Sequence, residues 1–130
     1  MSKPATNTQP KVMIVDDEPH IVMAIEYLMQ QQGYQTQTAH DGQDALKKLA
    51  DFLPKVMILD VMMPNLDGFD VANAVRQDER YQDVLIIFLT ARGTDRDKAQ
   101  GYGSGGDVYL TKPFDNDRLV ELVQEMLAYG

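Results

Sequence analysis

The chain has 130 residues, the size of one domain with its own core, and carries twenty acidic against twelve basic side chains, a formal net charge of −8. That balance disfavours direct binding to nucleic acid or to an anionic membrane surface and favours proteins or cations as ligands. The absence of cysteine excludes disulfides and thiolate metal sites, and no apolar run reaches the length of a bilayer span or forms a signal region, so a cytoplasmic location is expected.

Residues 1–10, built from Ser, Thr, Asn, Gln and two prolines among others, offer little to bury and read as a disordered tail ahead of one domain over 11–128. Val12-Met13-Ile14-Val15 is continuously apolar and ends in Asp16-Asp17, the pattern of a strand covered on both faces. Pro19 suits a first helical turn; Ile21, Ile25, Leu28 and Met29 fall on one stripe, and Gly33 can end that helix. Tyr34 to Ala39 alternates, as an edge strand with a half-solvated face would. Ala45, Leu46 and Leu49 mark a second helix, and Val56-Met57-Ile58-Leu59 a second buried strand that ends in Asp60. Asp67 is an N-cap candidate for a third helix with the stripe Phe69, Ala72 and Val75. A third apolar run, 84–89, ends in Thr90. The stretch from Thr94 to Tyr102 has little apolar face beyond Ala99 and Tyr102, and Gly101 and Gly103 weaken it further, so a fourth helix there is expected to be short and loosely held. Val108-Tyr109-Leu110-Thr111 leads into Lys112-Pro113, and Asp115 is placed to cap a last helix with Leu119, Leu122, Val123, Met126 and Leu127 on one face.

Five alternations of strand and helix with short connections imply an α/β fold, an open parallel sheet with helices on both faces. In such sheets the functional crevice lies beyond the carboxyl ends of the strands, where Asp16, Asp17, Asp60, Thr90 and Lys112 all map. Singly, each has a plain explanation as a helix cap or a solvated charge. Together they do not: carboxylates about 5 Å apart repel by roughly 3 kcal/mol per pair at an effective dielectric near 20. A divalent cation removes the conflict, and hard oxygen ligands beside a phosphate suit Mg²⁺, with Mn²⁺ as a substitute. A carboxylate in that setting can act as a nucleophile toward phosphorus, while the Thr90 hydroxyl and the Lys112 ammonium draw charge from the phosphoryl oxygens.

Ile14-Val15-Asp16-Asp17-Glu18-Pro19, the run Leu59 to Gly68, Leu89-Thr90-Ala91 and Tyr109-Leu110-Thr111-Lys112-Pro113-Phe114, in that order, resemble the receiver domain of two-component response regulators. The resemblance covers about Lys11 to Leu127 and implies a flavodoxin-like (βα)5 sheet of order 2-1-3-4-5. It implies Asp60 as phosphoacceptor, with Asp17, the Met62 backbone carbonyl and, largely through water, Asp16 arranging the metal. Thr90 and Lys112 would be the switch hydroxyl and the phosphate-sensing lysine, Tyr109 the aromatic whose rotamer follows phosphorylation, and Lys112-Pro113 a cis peptide. It further implies a histidine kinase or histidine phosphotransfer protein as donor, a downstream protein or output domain controlled through the face made by the fourth helix, the fifth strand and the last helix, and homodimerisation on phosphorylation as one outcome. Such a domain catalyses only its own phosphorylation and dephosphorylation, and the chain reads as a stand-alone receiver or one cut from a longer regulator.

Other readings carry less. A Mg²⁺-dependent phosphatase with an aspartyl-phosphate intermediate typically needs a second Asp two positions after the nucleophile, and Met62 stands there. A scaffold indifferent to phosphorylation has no use for the complete Asp, Thr and Lys set. Gly101, Gly103 and Gly106 spell G-x-G-x-x-G but precede a strand, whereas a dinucleotide fingerprint follows one. His20 and His40 lack ligand partners at metal spacing, the Asp95, Asp97 and Asp115, Asp117 pairs lack the calcium-loop pattern, and the eight methionines suit core packing. Gly106 and Val108 stand where receivers usually have Ala and Asp. Met62 and Arg92, two positions after Asp60 and Thr90, resemble the variable pair that tunes how fast water reaches the acyl phosphate. A long side chain over the phosphate excludes water, so Arg92→Ala is expected to shorten phosphoryl lifetime, measured as decay of the labelled protein; an unchanged decay rate would refute this.

Overall fold

The structure is a computed structural model that describes residues 9–91 and 106–129. Its elements follow in the order β1 (Lys11–Val15), α1 (Pro19–Gln31), β2 (Gln35–Ala39), α2 (Gly42–Phe52), β3 (Val56–Asp60), α3 (Gly68–Gln77), a 3-10 turn (Glu79–Tyr81), β4 (Leu85–Thr90), β5 (Val108–Thr111) and a C-terminal helix (Asn116–Tyr129). All strand pairs are parallel and the sheet runs β2-β1-β3-β4-β5, the order expected of a flavodoxin-like sheet. Arg92, the stretch 94–102, Gly101 and Gly103, Asp95 and Asp97, and residues 1–8 of the expected tail lie outside the described residues.

The continuous apolar runs are central because both of their faces are covered. Side chains alternate across a strand, so Met13, Val15, Met57, Leu59, Ile86 and Phe88 join one core with Ala45 and Leu49 of α2 and Phe69, Ala72 and Val75 of α3. Val12, Ile14, Val56, Ile58, Ile87 and Leu89 join the other with Ile25 and Met29 of α1 and Leu119, Leu122, Val123 and Met126 of the last helix. Burial of each such side chain is worth about 1.5–3 kcal/mol before entropy is subtracted. Five methionines, Met13, Met29, Met57, Met63 and Met126, are buried, whereas Met23 and Met62 face solvent. The alternating segment expected at the edge is the edge strand β2, whose Thr38 carbonyl is covered by the Lys48 ammonium at 2.7 Å.

Helix ends follow local chemistry. Pro19 opens α1, where its missing amide hydrogen is not needed, and Gly33 leaves the helix with φ 85°. Asp115 accepts hydrogen bonds from the Asp117 and Arg118 amides at 2.8 and 3.3 Å. Two starts were not anticipated from sequence: Asp41 caps α2 through the Asp44 amide at 2.7 Å, and Asp78 opens the 3-10 turn through the Arg80 amide at 3.0 Å. Asp67 caps α3 in a reciprocal arrangement, accepting from the Asp70 amide at 2.9 Å while Asp70 accepts from the Asp67 amide at 3.1 Å. Asp67→Ala removes the side-chain half of this exchange, leaving only the residue-67 amide to donate to Asp70, and is expected to lower unfolding free energy by about 1 kcal/mol. Urea denaturation checks it, and an unshifted midpoint would show that the cap is energetically idle.

Candidate functional site

Strand register brings the site together. Val15 pairs with Leu59 and Asp60 with Leu89, so Asp16 and Asp60 stand one step further along neighbouring strands; Thr90 pairs with Thr111, which places Lys112 one step beyond. Asp60 and Thr90 are the last residues of β3 and β4, so the ladder orients them as part of the sheet. The Asp16 amide still donates to Ala39 at 3.2 Å, and the Lys112 amide donates to the Thr90 carbonyl at 2.6 Å, which extends the sheet's order past the last paired residues. Among the described residues, Asp16, Asp60 and Thr90 are the buried polar or charged ones, 0%, 2% and 1% exposed. They gather at the carboxyl ends of the strands, where a buried charge is costly unless it is paired.

Among the described residues, Lys112 is the cation at these ends. Its Nζ lies 2.8 Å from Asp16 Oδ2, 3.4 Å from Glu18 Oε1 and 3.5 Å from Asp60 Oδ1. Burial alone would lower the ammonium's pKa, but the hydrogen bond to Asp16 and the fields of Asp60, Asp16 and Glu18 hold it above its ordinary value. Asp60 goes the other way from a normal carboxyl: desolvation and the Asp16 charge outweigh Lys112 and the Met62 amide, and its pKa is pushed up to about 7. Contact with the Asp17 side chain raises it further. The Met62 amide reaches Asp60 Oδ1 at 3.3 Å, and the Met62 side chain is half exposed beside it.

One ammonium does not neutralise this set. Carboxylate oxygens of Asp16, Asp17 and Glu18 lie within 4.8 Å of one another, a grouping that could hold a metal ion. The donor atoms are all hard oxygens, the kind that small divalent cations take. The residues present therefore fit a small divalent ion.

The structure brings together Asp16, Asp17, Asp60, Met62, Thr90 and Lys112 at the carboxyl ends of β1, β3, β4 and β5. Tyr109 lies on β5, half-buried, with its ring 5.9 Å from that of Phe88. Lys112-Pro113 is cis. Glu18 has a part that sequence reasoning left unassigned: it contacts the lysine and completes the carboxylate group. Its position directly after Asp16-Asp17 was the available signal, obscured because a residue before Pro19 reads as a helix boundary. His20 and His40 are exposed, near Glu18 and Asp44 at 3.6 and 3.7 Å. Gly106 leads into β5 and opens no helix.

A family model described as the response regulator receiver domain matches residues 12–124. The DNA-binding dual master transcriptional regulator RpaA of Synechocystis sp. is 39% identical over 118 residues, which cover 91% of this chain and 49% of that protein. Protein PilG of Pseudomonas aeruginosa is 37% identical over 114 residues, covering 88% of this chain and 84% of that one. The chemotaxis protein CheY4 of Vibrio cholerae has a similar structure, with a TM-score of 0.87 at 34% identity over 92% of this chain and 99% of that one. The chain spans about half the length of RpaA and of several other regulators it matches. No helix among the described residues is long and apolar enough to cross a membrane.

Crowded carboxylates have a consequence for the metal-free protein. With Asp60 titrating near 7 when folded and near 3.9 when unfolded, the unfolded chain loses this proton first as pH rises. The group's contribution to stability is full below about pH 4 and is lost as pH climbs through 7. In chelator, Asp60→Asn is expected to be more stable than the parent by roughly 1–3 kcal/mol at pH 8, with the gap closing toward pH 4. Urea titrations at the two pH values check it; equal stability at both would dismiss the repulsion.

Proposed function

We propose, on the premise that this chain belongs to the response regulator receiver domain family, that it receives a phosphoryl group on Asp60 from a histidine kinase or histidine phosphotransfer protein and relays that state to a partner. As a receiver it is a two-component signalling domain and not a classical enzyme; its catalysis is confined to its own modification. The observation that carries the reading is Asp60, buried at the end of β3, with the Lys112 ammonium 3.5 Å from it and 2.8 Å from Asp16.

Asp60 Oδ is the nucleophile. It forms a bond to phosphorus as the phosphorus–nitrogen bond of the donor's phosphohistidine breaks, and the electron pair of that bond goes to the departing imidazole nitrogen, which takes up a proton from solvent. Asp16, Asp17 and the Met62 carbonyl would hold Mg²⁺, or Mn²⁺ in its place, which when bound neutralises charge on the phosphoryl oxygens and on the carboxylates around them. Lys112 exchanges one anionic partner for another: its ammonium, held by Asp16 and Glu18, can pair with a phosphoryl oxygen at little cost because it is already desolvated. The Thr90 hydroxyl, at the buried end of β4, donates to a second oxygen, and its movement toward the phosphate opens room that the Tyr109 ring follows. Met62, and Arg92 after Thr90, govern the access of water and so the lifetime of the acyl phosphate.

The output is a changed surface around β5 and the C-terminal helix, read by a downstream protein or output domain in the cytoplasm, with homodimerisation on phosphorylation as one form it can take. DNA binding is stated for RpaA, a protein about twice this length; with its acidic balance, this chain is proposed to contact no nucleic acid itself.

Incubation with acetyl phosphate and Mg²⁺, followed by mass spectrometry, is expected to add one phosphoryl group per chain. The addition is lost with Asp60→Asn or with chelator, and Lys112→Ala slows it by about 10²-fold. Labelling that persists on Asp60→Asn would overturn the assignment, and sustained phosphate release from unrelated monoesters would favour a phosphatase.

A further inference from the structure

Gly106 departs from the alanine usual at its position, and the structure gives the departure a physical meaning. A methyl group placed there would fall on the Phe88 ring, in hard overlap with Cε2 and 2.5 Å from Cδ2. The backbone cannot easily retreat from this overlap. Asp107, the next residue, donates its amide to the Ile86 carbonyl at 2.9 Å, accepts the Ile86 amide on Oδ2 at 2.7 Å, and pairs through the same oxygen with Arg76 Nη2 at 2.9 Å. The missing side chain at 106 is therefore space that Phe88 uses.

Phe88 is fully buried and stands between two other rings. Phe69, in the first turn of α3, meets it edge-on at 5.2 Å and 80°, and Tyr109 of β5 lies tilted against it at 5.9 Å and 58°. Phe69 is itself buried at 7% exposure, whereas Tyr109 is only half-buried and so is the neighbour able to yield. Phe88 also sits two residues before Thr90, so the side chain proposed to move on phosphorylation and the ring that supports Tyr109 share one strand.

We infer that Phe88, seated in the space left by Gly106, is a positioning residue for Tyr109: it sets the resting orientation of the tyrosine ring and hence how readily that ring turns when the site is filled. The inference rests on the phosphoacceptor reading above and adds to it the structural element that holds the tyrosine. Crowding the seat pushes Phe88 toward Tyr109, whose hydroxyl is already buried, and opposes a turn of its ring; shortening Phe88 removes the support and eases it.

The test uses beryllofluoride with Mg²⁺ as the phosphoryl mimic and ¹³C-labelled tyrosine, with Tyr109→Phe to assign the ring resonance. In the parent, the mimic is expected to shift the Tyr109 ring resonance. In Gly106→Ala the Tyr109 resonance is displaced before any mimic is added, and half-saturation requires on the order of tenfold more beryllofluoride. Phe88→Leu placed on top of Gly106→Ala restores both readings, which a general loss of stability would not produce. Phe88→Leu alone moves the resting Tyr109 resonance and leaves mimic binding as tight as in the parent or tighter, and this variant decides the matter if Gly106→Ala fails to fold. A resting Tyr109 resonance unaffected by Phe88→Leu, or a Gly106→Ala protein with parental resonance and half-saturation, overturns the inference. A parent that binds no mimic at Asp60 overturns the phosphoacceptor reading instead.

Discussion

The ion pair between Lys112 and Asp16 is the constraint on which the rest of this molecule turns. At 2.8 Å it joins residues 96 positions apart and spans the sheet, since β3 and β4 lie between the strands that carry them. Two buried carboxylates on adjacent strands, Asp16 and Asp60, would otherwise face each other in a site nearly closed to water. A buried pair of this kind is poor value as a source of stability, because desolvation takes back much of the Coulomb attraction. On the proposed function its use is in what it leaves unfinished: one lysine is shared among three carboxylates, which leaves a place for both a cation and an oxyanion.

The same incompleteness explains why the fold must be rigid just behind the site. Strand register fixes Asp16, Asp60, Thr90 and Lys112 relative to one another, and the ladders that fix it are flanked by apolar side chains on both faces. A slip of one residue would exchange the side chains packed on the two faces and shift these groups out of line with one another. The energy that holds the charges in opposition is thus supplied by two hydrophobic layers that contain no charge of their own.

Much of this could be read from the chain. Runs such as Val56 to Leu59 and Leu85 to Leu89 announce doubly covered strands because their hydrophobicity does not alternate, and the helix stripes at Ile25 and Met29 or Leu119 and Val123 repeat at the helical period. The charged residues at the strand ends follow from parallel topology, which places all carboxyl ends on one side. What sequence could not supply was distance. That Glu18 reaches Lys112, or that burial and the neighbouring Asp16 push the Asp60 pKa up to about 7, depends on side-chain geometry across strands far apart in the chain. Gly106 shows the same limit from another side. As a letter it is a departure from an expected alanine, and only the position of the Phe88 ring gives it a reason. The caps at Asp41 and Asp78 were missed for a simpler cause, since a lone Asp in a polar stretch carries no signal until the helix after it is placed.

The two ends of β5 are held in different ways, and this difference bears on how a local event could spread. At its start, Asp107 is tied to Ile86 in both directions and to Arg76, while Arg76 also reaches the Tyr81 and Gln82 carbonyls near 3.4 Å, so α3, the 3-10 turn and β4 meet there. At its finish, Lys112 is held through its backbone to Thr90 and through charge to three carboxylates. Charge pairs of the second kind are the ones that the proposed phosphoryl group would exchange, whereas the hydrogen bonds at the first end are internal to the fold. A strand anchored at one end and exchangeable at the other does not slide as a body when its ligand changes. On the proposed function the response then falls on the side chains along it, and Tyr109, half-buried between the two ends and leaning on Phe88, is the one placed to take it up.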